Sequence, residues 1–280
     1  MRVYISVDME GIGGISHPHP TDPKDVRYPV SVELMIGETN AAIEGALAAG
    51  ATDILVNDSH WNMTNLLPAD IHPAATVLQG QKPWSMVAGA LPSADVAPRF
   101  DVALFVGYHA RAGHPRGTIA HTYSDAPVET RLDGRPTGEY GLNAVVLGAW
   151  GIPVGLVTGD DALADEVAAW LPWTERVVVK AADGTTSAAS VHPSVARERI
   201  RDGAERAVRR ARDGELRVLE VGRPVTIEID YARATVADHA AIVPGAVRVG
   251  DRTVRFASDD PVEAFRGFLA MNRLAGSVDG

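Results

Sequence analysis

Short apolar runs alternate along the chain with longer stretches whose apolar positions recur every three or four residues. That alternation predicts an α/β fold, a mostly parallel sheet flanked by helices. Strands are predicted at residues 3–7, 54–56, 102–106 and 154–157. A helix is predicted over 31–49, where Met35, Ile36, Ile43, Ala46 and Leu47 fall at helical spacing and Gly50 supplies a stop. Two more are predicted at 139–150, closed by Gly151 and Pro153, and at 162–171. Leu132-Asp133-Gly134-Arg135 carries an Asp-Gly hairpin signal.

After Lys180 the texture changes. Residues 181–190 are rich in Gly, Ser, Thr and Ala and read as an exposed connection. A charged helix is expected over 194–212, a strand of strict apolar/polar alternation over 225–231 and a closing helix over 261–274. A metal-binding α/β domain at 1–185 and a smaller C-terminal α+β domain at 186–280 are the expected division. The Arg-rich run 197–212 is interleaved with Glu198, Asp202 and Glu205, which fits a solvated or subunit-contact face.

Charge narrows the partners. With 26 Lys+Arg against 36 Asp+Glu the net charge is −10, the wrong sign for nucleic acid or an anionic membrane surface. The start of the chain carries Asp8 too early for a signal peptide. The most apolar stretch, 144–159, is broken by Gly148, Gly151, Pro153 and Gly155 and falls short of the ~20 residues a membrane helix needs. A cytoplasmic protein is the expectation. Cys is absent, so disulfides and thiol chemistry are excluded, and any metal must be held by His, Asp and Glu.

The chemistry lies at the strand ends, where open α/β sheets bind their ligands. The first strand runs into Asp8-Met9-Glu10-Gly11, whose two carboxylates, two residues apart, project to the same side. The second ends in Asn57-Asp58-Ser59-His60 and the third in Gly107-Tyr108-His109. Each of these residues taken alone reads as an ordinary polar loop position. Delivered by three successive strands to one sheet edge, Asp8, Glu10, His60 and His109 read as metal ligands. Two carboxylates and two imidazoles suit Zn²⁺, Mn²⁺ or Co²⁺ rather than Mg²⁺, and a carboxylate that bridges admits two metals.

Ser6-Val7-Asp8-Met9-Glu10-Gly11 resembles the opening motif of the zinc D-aminopeptidases of the dipeptide-transport operon type. Val56-Asn57-Asp58-Ser59-His60, Gly107-Tyr108-His109-Ala110 and Gly138-Glu139-Tyr140-Gly141-Leu142-Asn143-Ala144 resemble further motifs of that family, in order. The likeness is close over 1–160 and looser over 215–274. It implies two zinc ions per subunit on Asp8, Glu10, His60, His109 and Glu139, with Asp8 bridging, and a catalytic role for His121 as nucleophile or acid/base. It also implies a homo-oligomer, a decamer enclosing a chamber. By its own position Glu139 is a first-turn acid of a helix, and His121 a loop histidine beside His114. In a loop of its own outside the strand-end cluster, His121 is expected not to coordinate metal in the resting enzyme. Lys180 is kept from the family's substrate-pocket region, but the residues after it depart from the pattern.

The expected function is therefore cleavage of N-terminal residues, D-amino acids among them, from short peptides or aminoacyl amides. The ligand set alone also admits another metal-dependent amide, ester or phosphoester hydrolase, although no Lys/Arg cluster accompanies the strand-end ligands to hold a phosphate. It admits as well a metal-stabilised assembly module without activity. Gly159-Asp160-Asp161 reads as a helix cap. Gly11-Ile12-Gly13-Gly14 lacks the spacing of a dinucleotide site, and His17-Pro18-His19-Pro20 reads as a Pro-locked loop.

Overall fold

A computed structural model describes residues 1–92 and 99–278. β1 (Arg2–Val7) leads through a glycine-rich turn and a 3₁₀ turn at His19–Thr21 into α1 (Tyr28–Ala48). β2 (Asp53–Asp58), β3 (Ala75–Leu78) and β4 (Val102–Val106) follow, then the hairpin of β5 (Pro127–Leu132) and β6 (Arg135–Pro136) and helix α2 (Glu139–Ala149). Next come β7 (Val154–Asp160), α3 (Asp161–Trp170), β8 (Glu175–Gly184), β9 (Ser187–Ser190) and α4 (Pro193–Arg212). The chain finishes with β10 (Val225–Tyr231), α5 (Ala234–Ala240), β11 (Val247–Arg248), β12 (Thr253–Ser258) and α6 (Pro261–Gly276).

One sheet has the order β3-β2-β1-β4-β7-β8-β9, parallel from β3 to β8 with β9 antiparallel at the edge. The second, β11-β12-β10-β5-β6, is antiparallel. The chain is thus a mixed α/β protein, as its alternation of short and long apolar segments implied. Strand alternation divides the core in two. Val3, Ile5 and Val7 of β1 pack with Val102, Leu104 and Val106 of β4 beneath α1 and α4. Tyr4 and Phe105, on the opposite face, join α2, β10 and α6.

Residues 181–190, expected as an exposed connection, form the antiparallel β8–β9 arm instead, with Lys180 opposite Ser190 and Ala181 opposite Ala189. Small residues hid the strand, because alanine and serine carry little of the β-branched signal by which strands are read. Position 185 lies in the turn of this arm. Both sheets take residues from either side of it, since β9 pairs with β8 and β10 pairs with β5. The Arg-rich helix α4 buries Ala196, Ile200, Ala204, Ala207 and Val208, while Arg206 and Arg209 pair with Glu175 and Glu205 on its outer face. Among the described residues no helix is long and apolar enough to cross a membrane.

The fold sets the site by register. Val7 lies opposite Asp58 on one side and opposite Val106 on the other, so β1, β2 and β4 end at one level. Asp8, Ser59 and Gly107 begin three adjacent loops there.

Candidate metal centre

The exits of β1 and β4 are pressed together. The Gly11 amide donates to the Gly107 carbonyl at 2.8 Å, and a Cβ on Gly11 would lie 1.8 Å from the Tyr108 carbonyl oxygen. Gly107 itself has φ 70° and no room beside the Asp8 carbonyl. Only glycine fits either place. Behind this turn Lys180 is 1 % exposed and donates to the carbonyls of Glu10, Ile12 and Ile15, which fixes the loop carrying Glu10. Lys180 is therefore a buried support, and it does not line the cavity described below. Burial pushes its ammonium down to about 8.

Asp8, Glu10, His60, His109 and Glu139 are all buried and meet at one point. Asp8 stands between the two imidazoles: its Oδ1 is 3.3 Å from His60 Nδ1 and its Oδ2 is 3.4 Å from His109 Nε2. On the first side Glu10 Oε2 is 3.0 Å from His60 Nδ1. On the second Glu139 Oε2 is 3.4 Å from His109 Nε2. Asp8, Glu10 and His109 offer atoms within 4.8 Å of one another, and so do His109, His121 and Glu139.

Backbone carbonyls orient each ring. His60 Nε2 donates to the Thr21 carbonyl at 2.9 Å, and His109 Nδ1 donates to the Ala110 carbonyl at 3.0 Å. A carbonyl can only accept, so in each neutral ring the nitrogen facing Asp8 presents a lone pair, the arrangement a metal-ligating histidine needs. His109 Nε2 and Glu139 Oε2 are moreover buried without a hydrogen-bond partner. Two buried acceptors without a donor, aimed at one another, fit a cation between them. The donor set is nitrogen and oxygen only, which suits zinc.

Electrostatics agree. Burial opposes charge on His60 and His109, but the carboxylates of Glu10 and Asp8 around the first, and of Glu139 and Asp8 around the second, outweigh it and raise both rings well above the usual imidazole range. Burial likewise opposes the carboxylates of Asp8 and Glu139, yet the histidines beside them hold both below their ordinary values. In the metal-free protein the protonated rings therefore stand in for cations. Zinc needs them neutral, so binding releases protons, and affinity rises with pH. Calorimetry of zinc binding in buffers of different ionisation enthalpy checks this; a heat independent of buffer contradicts it.

His121 was expected apart from this cluster, in a loop of its own. The structure brings it in. Its ring stacks on His109 with centroids 4.1 Å apart, and Nε2 is 3.8 Å from Glu139 Oε1. Its Nδ1 donates to the Ile119 carbonyl at 2.9 Å. The loop is held in shape by Ile119 and Tyr123, at φ 54° and 63°, and the Tyr123 amide donates to Glu139 Oε1 at 2.6 Å. The neighbouring His114 faces elsewhere: its Nδ1 accepts from the Gly117 amide at 2.8 Å and closes a turn. Asp160 caps α3 by accepting from the Leu163 amide.

Asp8, Glu10, His60 and Glu139 lie in a cavity of about 1420 Å³ lined also by His121, Tyr123, Lys82, Asn272 and Arg273. Sequence reasoning missed four supports. The Thr21 carbonyl and the Tyr123 amide are backbone groups with no side-chain signature. Lys82 and Arg273 come from a loop and from α6, far from the strand-end motifs.

Comparison with known proteins agrees with the geometry. A family model described as D-aminopeptidase (peptidase family M55) matches residues 1–270. A D-aminopeptidase of Bacillus subtilis (strain 168) is 35 % identical over 277 residues, covering 98 % of each chain. The solved structure of the Zn-dependent D-aminopeptidase DppA from Bacillus subtilis, described as a self-compartmentalizing protease, superposes with a TM-score of 0.92 at 33 % identity over 100 % of both chains.

Proposed function

The chain belongs to the D-aminopeptidase family of peptide-bond hydrolases, and on that premise we propose that it is a dinuclear zinc aminopeptidase releasing N-terminal D-residues from short peptides or aminoacyl amides. The observation that carries this reading is the two-sided environment of Asp8, whose two oxygens face different imidazoles. One metal position is then formed by Asp8, Glu10 and His60, and the other by Asp8, His109 and Glu139. Three ligands on each side leave coordination positions open, which catalysis needs and a structural site avoids.

Zinc bound there supplies Lewis-acid polarisation of a carbonyl and activation of water. The protein does the rest. The carboxylates of Glu10 and Asp8 offer a wall for the substrate's free α-amine. His121 Nε2, turned to the cavity by the bond from Nδ1 to Ile119, holds or passes a proton at the scissile bond. Tyr123 fixes one oxygen of Glu139 so that the other stays turned to His109. The self-compartmentalizing relative supports a homo-oligomer, with a decamer as the expected form.

Hydrolysis rates on matched D- and L-aminoacyl amides and dipeptides test the reading. The zinc-loaded protein is expected to cleave the D-series preferentially. Chelation should abolish turnover and lower the melting point without loss of the cooperative fold, because protonated His60 and His109 offset two of the three carboxylate charges in the metal-free protein. Cooperative loss of the fold on chelation would favour a metal-stabilised assembly module.

A further inference from the structure

The acidic floor of the cavity is answered by cations on its wall, of which Lys82 and Arg273 meet each other. Lys82 is half-buried, and its ammonium donates to the Asp58 carbonyl at 2.7 Å and weakly to the Leu78 carbonyl at 3.5 Å. Arg273, reaching from α6, donates from one terminal nitrogen to the carbonyls of Lys82 and Pro83 at 3.2 and 3.1 Å. Both side chains line the cavity that holds Asp8, Glu10 and Glu139. Among the described residues neither forms an ion pair with a carboxylate, whereas Arg2, Arg111, Arg116 and Arg131 all do.

An ammonium has three donors and a guanidinium five, so each keeps hydrogen-bonding capacity beyond its carbonyl partners. Burial without an ion-pair partner also pushes Lys82 down to about 8, an imbalance that an incoming anion would relieve. The rest of the wall carries Asp22, Lys24, Asp25 and Asp125, a stretch of net negative charge, so a carboxylate entering the cavity meets attraction at Lys82 and Arg273.

Lys82 is anchored on the carbonyl of Asp58, two residues before His60. A dipeptide, two residues of chain, reaches at most about 7 Å from its amine to its carboxylate. We propose that Lys82 and Arg273 form a subsite for the free C-terminal carboxylate of the substrate, making the cavity selective for unblocked dipeptides over their amides. This rests on the aminopeptidase reading of the same cavity.

The test compares D-alanylglycine with D-alanylglycinamide on the zinc-loaded protein. The free acid is expected to have the higher kcat/KM by about 10-fold, through KM, since a charge-assisted contact made equally in ground and transition state lowers KM alone. Lys82→Met should collapse that ratio towards one, Lys82→Arg should retain most of it, and Arg273→Gln should reduce it by a smaller factor. Arg273 is exposed, so its variant serves even if Lys82→Met fails to fold. Equal kcat/KM for the two peptides in the wild type, or a ratio preserved in both Lys82→Met and Arg273→Gln, would overturn the proposal. If neither peptide is cleaved, the aminopeptidase reading falls instead. Calorimetric binding of the same two peptides, which are then not consumed, decides the subsite by the same ratio.

Discussion

His121→Ala will retain two zinc ions per chain, melt close to the wild type and lose about 10²–10⁴-fold in kcat, the range contributed by a positioned acid/base. The side chain is only partly buried, with 23 % of its surface exposed, and its removal leaves Glu139 held by the Tyr123 amide and facing His109. The two metal positions proposed above take no atom from it. The ring is nevertheless close, stacked on His109 and facing the cavity. His114→Ala is the control, because His114 closes a turn on the Gly117 amide and should keep most of its activity. Loss of a zinc ion from His121→Ala would make His121 a ligand. An inactive His114→Ala would mean that the roles of the two loop histidines are exchanged.

Asp8→Ala will have the largest effect of any ligand substitution. Asp8 pairs with both imidazoles, whereas Glu10 pairs with His60 and Glu139 with His109. Its removal should lower zinc content on both sides and take activity to background. The loss should exceed the about 10–100-fold that follows from disturbing an outer partner of a metal ligand. Metal analysis must accompany the rates, since removing a buried carboxylate shared by two imidazoles also destabilises the metal-free fold. Equal losses of activity and zinc across Asp8→Ala, Glu10→Ala, His60→Ala, His109→Ala and Glu139→Ala would argue against a bridge.

The strand-end part of this site was legible because β periodicity is rigid. Once residues 3–7, 54–56 and 102–106 are strands of one parallel sheet, the residues that follow them must share an edge, and Asp8, Glu10, His60 and His109 come with them. Glu139 and His121 have no such signature. An acid in the first turn of α2 is what a helix dipole favours anyway, and only the likeness to the family's motifs set these two apart. Lys82, Arg273 and the Tyr123 amide were not legible at all, since long-range packing and positive-φ turns bring them to the cavity. The β8–β9 arm was misread for the opposite reason: its residues are too small to carry a strand pattern, and pairing with a neighbouring strand decides its conformation.

Diffraction from zinc-loaded crystals on both sides of the zinc absorption edge tests the central claim most directly. The two-sided geometry of Asp8 predicts two anomalous peaks about 3.5–4 Å apart, one between Asp8, Glu10 and His60 and the other between Asp8, His109 and Glu139. A single peak, or peaks with no oxygen of Asp8 within about 2.0–2.2 Å, would contradict it.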